Sequence, residues 1–444
     1  MKFFDRIKER QQLQGALART LSSGSQLTVV TGRRRIGKTK LILNSFPDEV
    51  MVYWFVTRSN EAMLCGEFAQ VATEKLGVLI PNEVKNFSKL FELVMQVGRH
   101  QSFTLVIDEF QEFFTINAAV FSQIQSIWDQ YKDTTKVNLI VSGSVHSLMK
   151  RIFQDSHEPL FGRASQIIQL RPFRTDVLKD ILQTYNPQYT SEDLLALYAF
   201  TGGVPKYIEL LMDRGCVTKD QMIECIVEPG SLFLTEGRDL LVMEFGRDYG
   251  TYFSIISSIA AGFTTQGQIT SLLGGASIGG QLKKLEEEYE LIQKKRPIFS
   301  KPGSQNVQFA LKDQFLRFWF RYMYKYRSLI EMDQSQALKT IIERDYTTFT
   351  GFALEDYFRE KLQETGKYLM VDSWWQMKKG EPQAEIDIVA TDLTTKVAFV
   401  AEVKRQRSQF REREFLDKVE ILKTKEMRNW TLSPQPSCLT MDDM

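Results

Sequence analysis

The chain is poor in the residues from which several common active sites are built. Three histidines in 444 residues are too few for a His-rich metal centre and argue against a Ser-His-Asp triad. Four cysteines, Cys65, Cys216, Cys225 and Cys438, are scattered without paired metal-ligand spacing. They fit free thiols in a reducing compartment. Net charge is +1, so no global field recruits nucleic acid, and any such surface must be local. No apolar run approaches the ~18 residues of a membrane span, and the charged, amphipathic N-terminus is not a signal sequence. A cytoplasmic protein without a membrane partner is expected. The chain has no low-complexity block, and its length suits two or three domains, each with its own core.

What is present begins at Thr28-Val-Val-Thr-Gly-Arg-Arg-Arg-Ile-Gly-Lys-Thr39. An apolar β-branched run leads into a glycine-rich loop, and Leu41, Ile42 and Leu43 then start a helical pattern. This is the strand, loop and helix of a P-loop. Gly32 and Gly37 let the backbone close on phosphates, and the amides of Arg33, Arg34, Arg35 and Ile36 supply an anion nest. Lys38 would reach the β- and γ-phosphates of ATP, and Thr39 would place its hydroxyl on Mg²⁺. Ahead of the loop, Ile7, Gln11, Leu13, Leu17 and Leu21 predict an amphipathic helix. Met51–Val56 reads as a buried strand, and residues 60–93 read as helical with a break near Pro81.

Phe103-Thr-Leu-Val-Ile-Asp108-Glu109 is apolar without alternation, as suits a central parallel strand covered on both faces. Carboxylates at such a strand's carboxyl end lie where open α/β sheets bind ligands. Asp108 would hold Mg²⁺ and Glu109 would orient the attacking water; the alternative is an N-cap for the next helix. Val137–Val141 predicts another strand, ending in Ser142-Gly143-Ser144. Ser142 would approach the γ-phosphate if that strand lies between the other two, or the segment is plain turn chemistry. Arg163, before a strand at 167–170, either reaches an adjacent subunit's nucleotide or pairs with a local carboxylate.

Phe4-Asp5-Arg6 with Glu9, the Gly32–Thr39 loop, Asp108-Glu-Phe-Gln111, Ser142-Gly-Ser144, Leu160-Phe-Gly-Arg163 and Thr201-Gly-Gly-Val-Pro205 together resemble the archaeal-type ATPases. These are an MNS-like clade of the STAND class of AAA-like switch ATPases. The resemblance covers residues 1 to about 235 and implies a nucleotide domain with a helical lid, Gly203 and Pro205 lying near the nucleotide.

Residues 252–309 have the rhythm of a winged helix: three helices, the last over 278–289, and a hairpin from Leu291-Ile292 and Val307–Phe309. Its third helix carries Lys283 and Lys284 but also Glu286, Glu287, Glu288 and Glu290. Acid facing phosphate is unfavourable, so packing or switching is favoured over base reading, while Lys294–Arg296 keeps DNA open. Next, Phe315, Phe318, Trp319, Tyr322 and Tyr326 share a helical face beside an Arg317, Arg321, Lys325 stripe. Aromatics with bases can bind nucleic acid, but burial between domains is the commoner use. This segment resembles the signature of the family's usual C-terminal domain of unknown function, which precedes a module with features of PD-(D/E)xK nucleases.

Ala384–Ala390 and Lys396–Lys404 alternate as two strands. A turn centred near Leu393 and Thr394 would put Asp387 opposite Val400 and Glu385 opposite Glu402. Asp387, Glu402 and Lys404 would then share a face. Two carboxylates there need a counter-ion, and Mg²⁺ held by Asp387 and Glu402 would supply it, with Lys404 orienting water or stabilising the phosphate. Glu355, at the start of an expected helix, resembles the extra acid of these nucleases, and Gln406 would complete an E-x-K-x-Q form. The proline that leads the motif is missing, since Glu385-Ile386 precede Asp387. The alternative is a hairpin with cross-strand Glu–Lys pairs.

The expectation is an α/β protein. A parallel-sheet P-loop core (1–175) carries a helical lid (176–240). A winged helix (241–312), connecting helices (313–345), a small α/β PD-(D/E)xK nuclease-like domain (346–430) and a tail (431–444) follow. Its expected cofactors are ATP and Mg²⁺. DNA, a protein gated by nucleotide state and further copies of the chain are the candidate partners. The competing readings are a switch whose terminal domain only docks and a DNA-binding regulator.

Overall fold

A computed structural model describes residues 1–47, 49–301, 303–304, 307–378 and 381–444. It contains two compact units, Asp5–Arg171 and Pro172–Met444, the latter with Met1–Phe4.

In the first unit, strands β1 (Gln26–Thr31), β2 (Met51–Phe55), β3 (Phe103–Asp108), β4 (Val137–Ser142) and β5 (Gln166–Gln169) form one sheet in the order β2-β3-β4-β1-β5. All pairings are parallel. Every residue of β3 and β4 is buried, which is why their runs show no alternation. The helical stretch after β2 divides as its sequence suggests. Glu61–Leu76 starts at an Asn60 cap and ends at Gly77, and Phe87–Val97 restarts at an Asn86 cap. Trp54, Phe68, Phe87, Phe91 and Phe113 fill the core there.

One stripe differs from expectation. The first helix, Ile7–Ser22, buries Leu13, Ala16 and Thr20, while Ile7 and Leu21 are 66% and 49% exposed. The small Ala16 and the Thr20 hydroxyl, bonded back to Ala16 O, let this helix pack closely, and apolar content alone mis-set the face.

In the second unit, five helices between Thr175 and Phe245 precede three helices, Tyr249–Ala260, Gln266–Leu272 and Gly279–Glu287. Strands β6 (Ile292–Lys295) and β7 (Gln308–Leu311) then pair antiparallel. The aromatic segment is α-helical over Gln314–Phe318 and π-helical over Trp319–Tyr324. Phe315, Phe318, Trp319 and Tyr322 are buried in a core shared with the preceding helices. A 30-residue helix, Ser335–Glu364, follows. Glu355 therefore lies well inside a helix rather than at its start, the helix running on through Gly351.

A second sheet has β8 (Met370–Lys378), β9 (Glu381–Asp392), β10 (Val397–Val403) and β11 (Thr431–Leu432) in the order β11-β10-β9-β8, with β12 (Ser437–Leu439) also on β10. The β9–β10 hairpin is antiparallel with a register two residues from expectation. Val400 faces Val389 and Ala401 faces Ile388. The turn is Leu393–Lys396, with Asp392 accepting from Thr394 N at 2.9 Å and Thr395 Oγ1 at 2.7 Å, and Lys396 at φ +54°. This side-chain turn moves the centre by one residue and hence the register by two. β9 also bulges against β8. Asp372 pairs with Val389 but Trp374 with Ile386, so Asp387 and Ile388 together face Ser373.

Candidate functional site

In the first unit the loop after β1 closes on itself. Gly32 stands at φ +143°, Arg35 at +71° and Gly37 at +87°. A Cβ on Gly32 would lie 2.8 Å from the Leu170 carbonyl oxygen, so both conformation and space demand glycine. Ile36 is buried beneath the loop. Helix Lys38–Ser45 starts at Gly37 without a side-chain cap, so the positive end of its dipole opens onto the loop. Lys38 Nζ donates to the carbonyls of Gly32 at 2.9 Å and Arg33 at 3.2 Å, which holds the ammonium over the loop.

Since β4 lies between β1 and β3, Ser142 comes between the loop and the acidic strand end. Asp108 gathers hydroxyls: Thr39 Oγ1 donates to its Oδ2 at 2.8 Å, Tyr53 OH to the same oxygen, and Ser142 Oγ to Oδ1. Burial, then the bond to Asp108, holds the Tyr53 phenol far above its ordinary range. Glu109 takes a left-handed backbone, φ +55°, and makes no side-chain cap to the next turn, so it does not serve as the cap the sequence also allowed. Its Oε2 instead accepts from Gln111 Nε2 at 2.6 Å and Ser144 Oγ at 2.7 Å. A Cβ on Gly143 would meet Gln111 Oε1 at 2.2 Å and displace the amide that steadies Glu109. The Thr39 hydroxyl and Asp108 carboxylate form an oxygen donor pair of the kind Mg²⁺ takes. Arg163 bonds Phe161 O at 2.9 Å and Asp129 at 3.2 Å, the local carboxylate pairing. Sequence reading missed Tyr53, for which an exposed-face tyrosine two residues before a strand end gave no signal.

In the second unit, Glu402, Lys404 and Asp387 do converge. Lys404 Nζ lies 3.0 Å from Glu402 Oε1 and 4.0 Å from Asp387 Oδ2. The observed register, continued by one pair, sets Asp387 opposite Glu402, and Asp387 Oδ2 accepts from Val403 N at 2.8 Å where β10 leaves the ladder. Burial lifts the Asp387 carboxyl, the Val403 bond opposes this, and neighbouring Glu402 adds to it. Burial, then Asp387, pushes Glu355 up to about 7. Burial and Asp387 also raise Glu385.

Cations the sequence did not point to share this region. Lys418 reaches both Glu402 oxygens at 3.2 and 3.3 Å. Arg359 bonds Glu355 at 3.3 Å, Asp356 at 2.7 Å and the Asp387 carbonyl at 2.9 Å. Arg359 was findable, being one turn from Glu355 on a helix; Lys418 comes from a separate helix, Glu412–Glu426. Gln406 caps the short turn Arg407–Gln409. Asp387 and Glu402 are oxygen donors that suit a hard cation, and a cation would relieve their mutual repulsion. Among the described residues no group of three or more His, Cys, Asp or Glu is arranged to hold a metal. None of the described helices is long and apolar enough to cross a membrane.

Residues 3–211 match the family model of an ATPase domain predominantly from Archaea. Residues 319–416 match that of archaeal and bacterial proteins of unknown function. An uncharacterized protein of Methanocaldococcus jannaschii is 29% identical over 411 residues, spanning 90% of this chain and 87% of its own. The fold is similar to that of a Walker-type ATPase of Pyrococcus abyssi, with a TM-score of 0.54 and 17% identity over 72% of this chain and 96% of the other. The Aeropyrum pernix ORC2 protein, solved as ADPNP and ADP complexes, gives a TM-score of 0.49 and 11% identity over 75% and 96%. The chain thus joins a segment that matches the ATPase domain found predominantly in Archaea to one that matches the archaeal and bacterial domain of unknown function.

Proposed function

We propose that the protein is a Mg²⁺-dependent ATP switch, in which the nucleotide state of the first unit is read out by a winged helix and a nuclease-like C-terminal domain. The observation that carries this is the Thr39 Oγ1 to Asp108 Oδ2 contact of 2.8 Å, a hydroxyl and a carboxylate ready to share one cation. The ion would be held by Thr39 and Asp108, neutralising charge on the phosphates. Lys38 exchanges its two carbonyl partners for the β- and γ-phosphates. Glu109, steadied by Gln111 and Ser144, orients the attacking water. Ser142 lies beside these groups, whereas Arg163 is engaged with Asp129.

The three helices and hairpin of residues 249–311 support a winged helix used for switching. Its third helix pairs Lys283 with Glu287, and Glu286 takes Lys294 from the hairpin. Those cations are answered within the module, which disfavours a groove reader.

For the C-terminal domain, Asp387 and Glu402 would hold a divalent cation, Lys404 would stabilise phosphate, and Glu355 would stand at the edge, with DNA the first substrate to test. The lysine pair already on Glu402 favours a second reading, in which this site docks a partner without cutting.

Hydrogen exchange over residues 249–311 tests the switch. It should differ between nucleotide-free protein and protein saturated with a non-hydrolysable ATP analogue, and the difference should vanish in Lys38→Ala. Equal exchange in both states of the wild type removes the switch.

A further inference from the structure

The arginine-lysine stripe seen in the sequence does not survive as a stripe. Over Trp319–Tyr324 the helix is a π-helix, with Lys325 N bonded to Phe320 O, five residues back. Such a widened turn changes the angle between successive side chains, and π-turns recur at functional sites. Arg317, before the widened turn, is drawn to Asp356, whose side chain is 14% exposed. Arg321 and Lys325 point elsewhere.

They line a cavity of about 220 Å³ together with Tyr326, Ile341, Arg344 and Asp345. Arg321 is fixed side-on, with Nε and Nη2 on the two oxygens of Asp345, the latter at 2.8 Å. Tyr322 OH donates to Asp345 at 2.8 Å as well. This arrangement spends one carboxylate on orienting one guanidinium and leaves Nη1 outside the pair. Lys325 and Arg344 are exposed. Three cations against one anion make the lining net positive by two, and Tyr326 and Ile341 add an apolar wall.

We infer that this cavity is a phosphate-binding site, separate from the nucleotide loop. A preset arginine suits the planar recognition of phosphate oxygens, and two exposed cations suit its remaining charge, Lys325 resting over the Tyr326 ring with its Nζ 5.3 Å from the ring centre. The phosphate could belong to a free phosphate monoester or to a single-stranded nucleic acid, since both present the same oxygens.

The test uses the full chain carrying Lys38→Ala, so that the nucleotide loop contributes nothing. Inorganic phosphate is titrated by ³¹P line broadening, and a fluorescein-labelled oligothymidylate by anisotropy. Each is repeated after adding Lys325→Gln with Arg344→Gln, and again with Lys325→Arg and Arg344→Lys. Phosphate affinity should fall at least tenfold in the Gln pair and recover in the charge-preserving pair, with melting temperature unchanged. Loss of oligonucleotide binding in parallel assigns the site to a nucleic-acid backbone; unchanged oligonucleotide binding assigns it to free phosphate esters. Phosphate binding equal in all three proteins, or absent throughout, overturns the inference.

Discussion

Thr39 and Asp108 are 69 residues apart in the chain and 2.8 Å apart in space, hydroxyl to carboxylate. One strand insertion brings this about: β4 separates the loop strand from the acidic strand, and Ser142 at its end completes the set of hydroxyls on Asp108. The neighbouring Glu109 takes a left-handed backbone and bonds Gln111 and Ser144, so the two adjacent carboxylates serve different partners, as the proposed division between metal holding and water orientation needs.

That division can be measured. Glu109→Gln should bind ATP with near wild-type affinity and hydrolyse it about 10²–10⁴-fold more slowly, the usual contribution of a positioned base. Calorimetry and single-turnover hydrolysis read the two quantities separately. Turnover within threefold of wild type would assign water activation to another residue.

The C-terminal site answers to a different pair of changes. Asp387→Ala and Lys404→Ala should each abolish Mg²⁺- or Mn²⁺-dependent cleavage of DNA while leaving ATP affinity intact. The assay covers single- and double-stranded DNA and RNA, with each metal, with and without ATP. A wild type that cuts none of them, and whose metal affinity is untouched by Asp387→Ala, leaves docking as this domain's role.

Asp356, its side chain 14% exposed, stands among Arg317, Arg359 and Lys295, and although partial burial opposes its charge, those cations hold its carboxyl far below the ordinary range. Arg317→Met should therefore leave a partly buried charge short of its nearest partner and destabilise the second unit by about 3–5 kcal/mol. Thermal unfolding followed by circular dichroism would show it. A loss under 1 kcal/mol would mean that Arg359 and Lys295 suffice.

Glu355 gives the pH dependence. Its folded carboxyl, lifted to about 7 by burial and then by Asp387, binds a proton that the unfolded chain has released above about pH 4.3. Stability from this group is thus full below that value and falls as pH rises through 7. Glu355→Gln should flatten the decline between about pH 5 and 8 and stabilise the protein at pH 8 by about 1–3 kcal/mol. An unchanged slope would show that Glu355 is ionised throughout.

Legibility followed the range of the signal. The nucleotide loop, the two central strands and the acid pair were readable because each is a local pattern: an uninterrupted apolar run, glycines at fixed spacing, polar residues at strand ends. The Asp387, Glu402 and Lys404 grouping was readable in membership but not in mechanism. Its register depended on how Asp392 bonds Thr394 and Thr395. Tyr53 and Lys418 were not readable, since their partners Asp108 and Glu402 are brought to them only by folding. The stripe at Arg317, Arg321 and Lys325 misled because α-helical spacing was assumed across a segment that folds as a π-helix.

The bulge in β9 also constrains how this chain can change length. Ile386 and Val389, three positions apart, serve the core that holds Phe415, Val419 and Leu422, while Ile388 and Ala390 serve the other core. In an unbroken strand residues three apart face opposite ways, so the extra residue is what lets Ile386 and Val389 share one layer. Losing one residue between them would restore plain alternation and leave both layers served as before, whereas losing one elsewhere in the strand would turn the apolar side chains on one side of the gap to the wrong layer. The Leu393–Lys396 turn could lengthen with neither layer disturbed. Across relatives, single-residue gaps should therefore collect at that turn and at Asp387-Ile388, and be purged from the rest of β9.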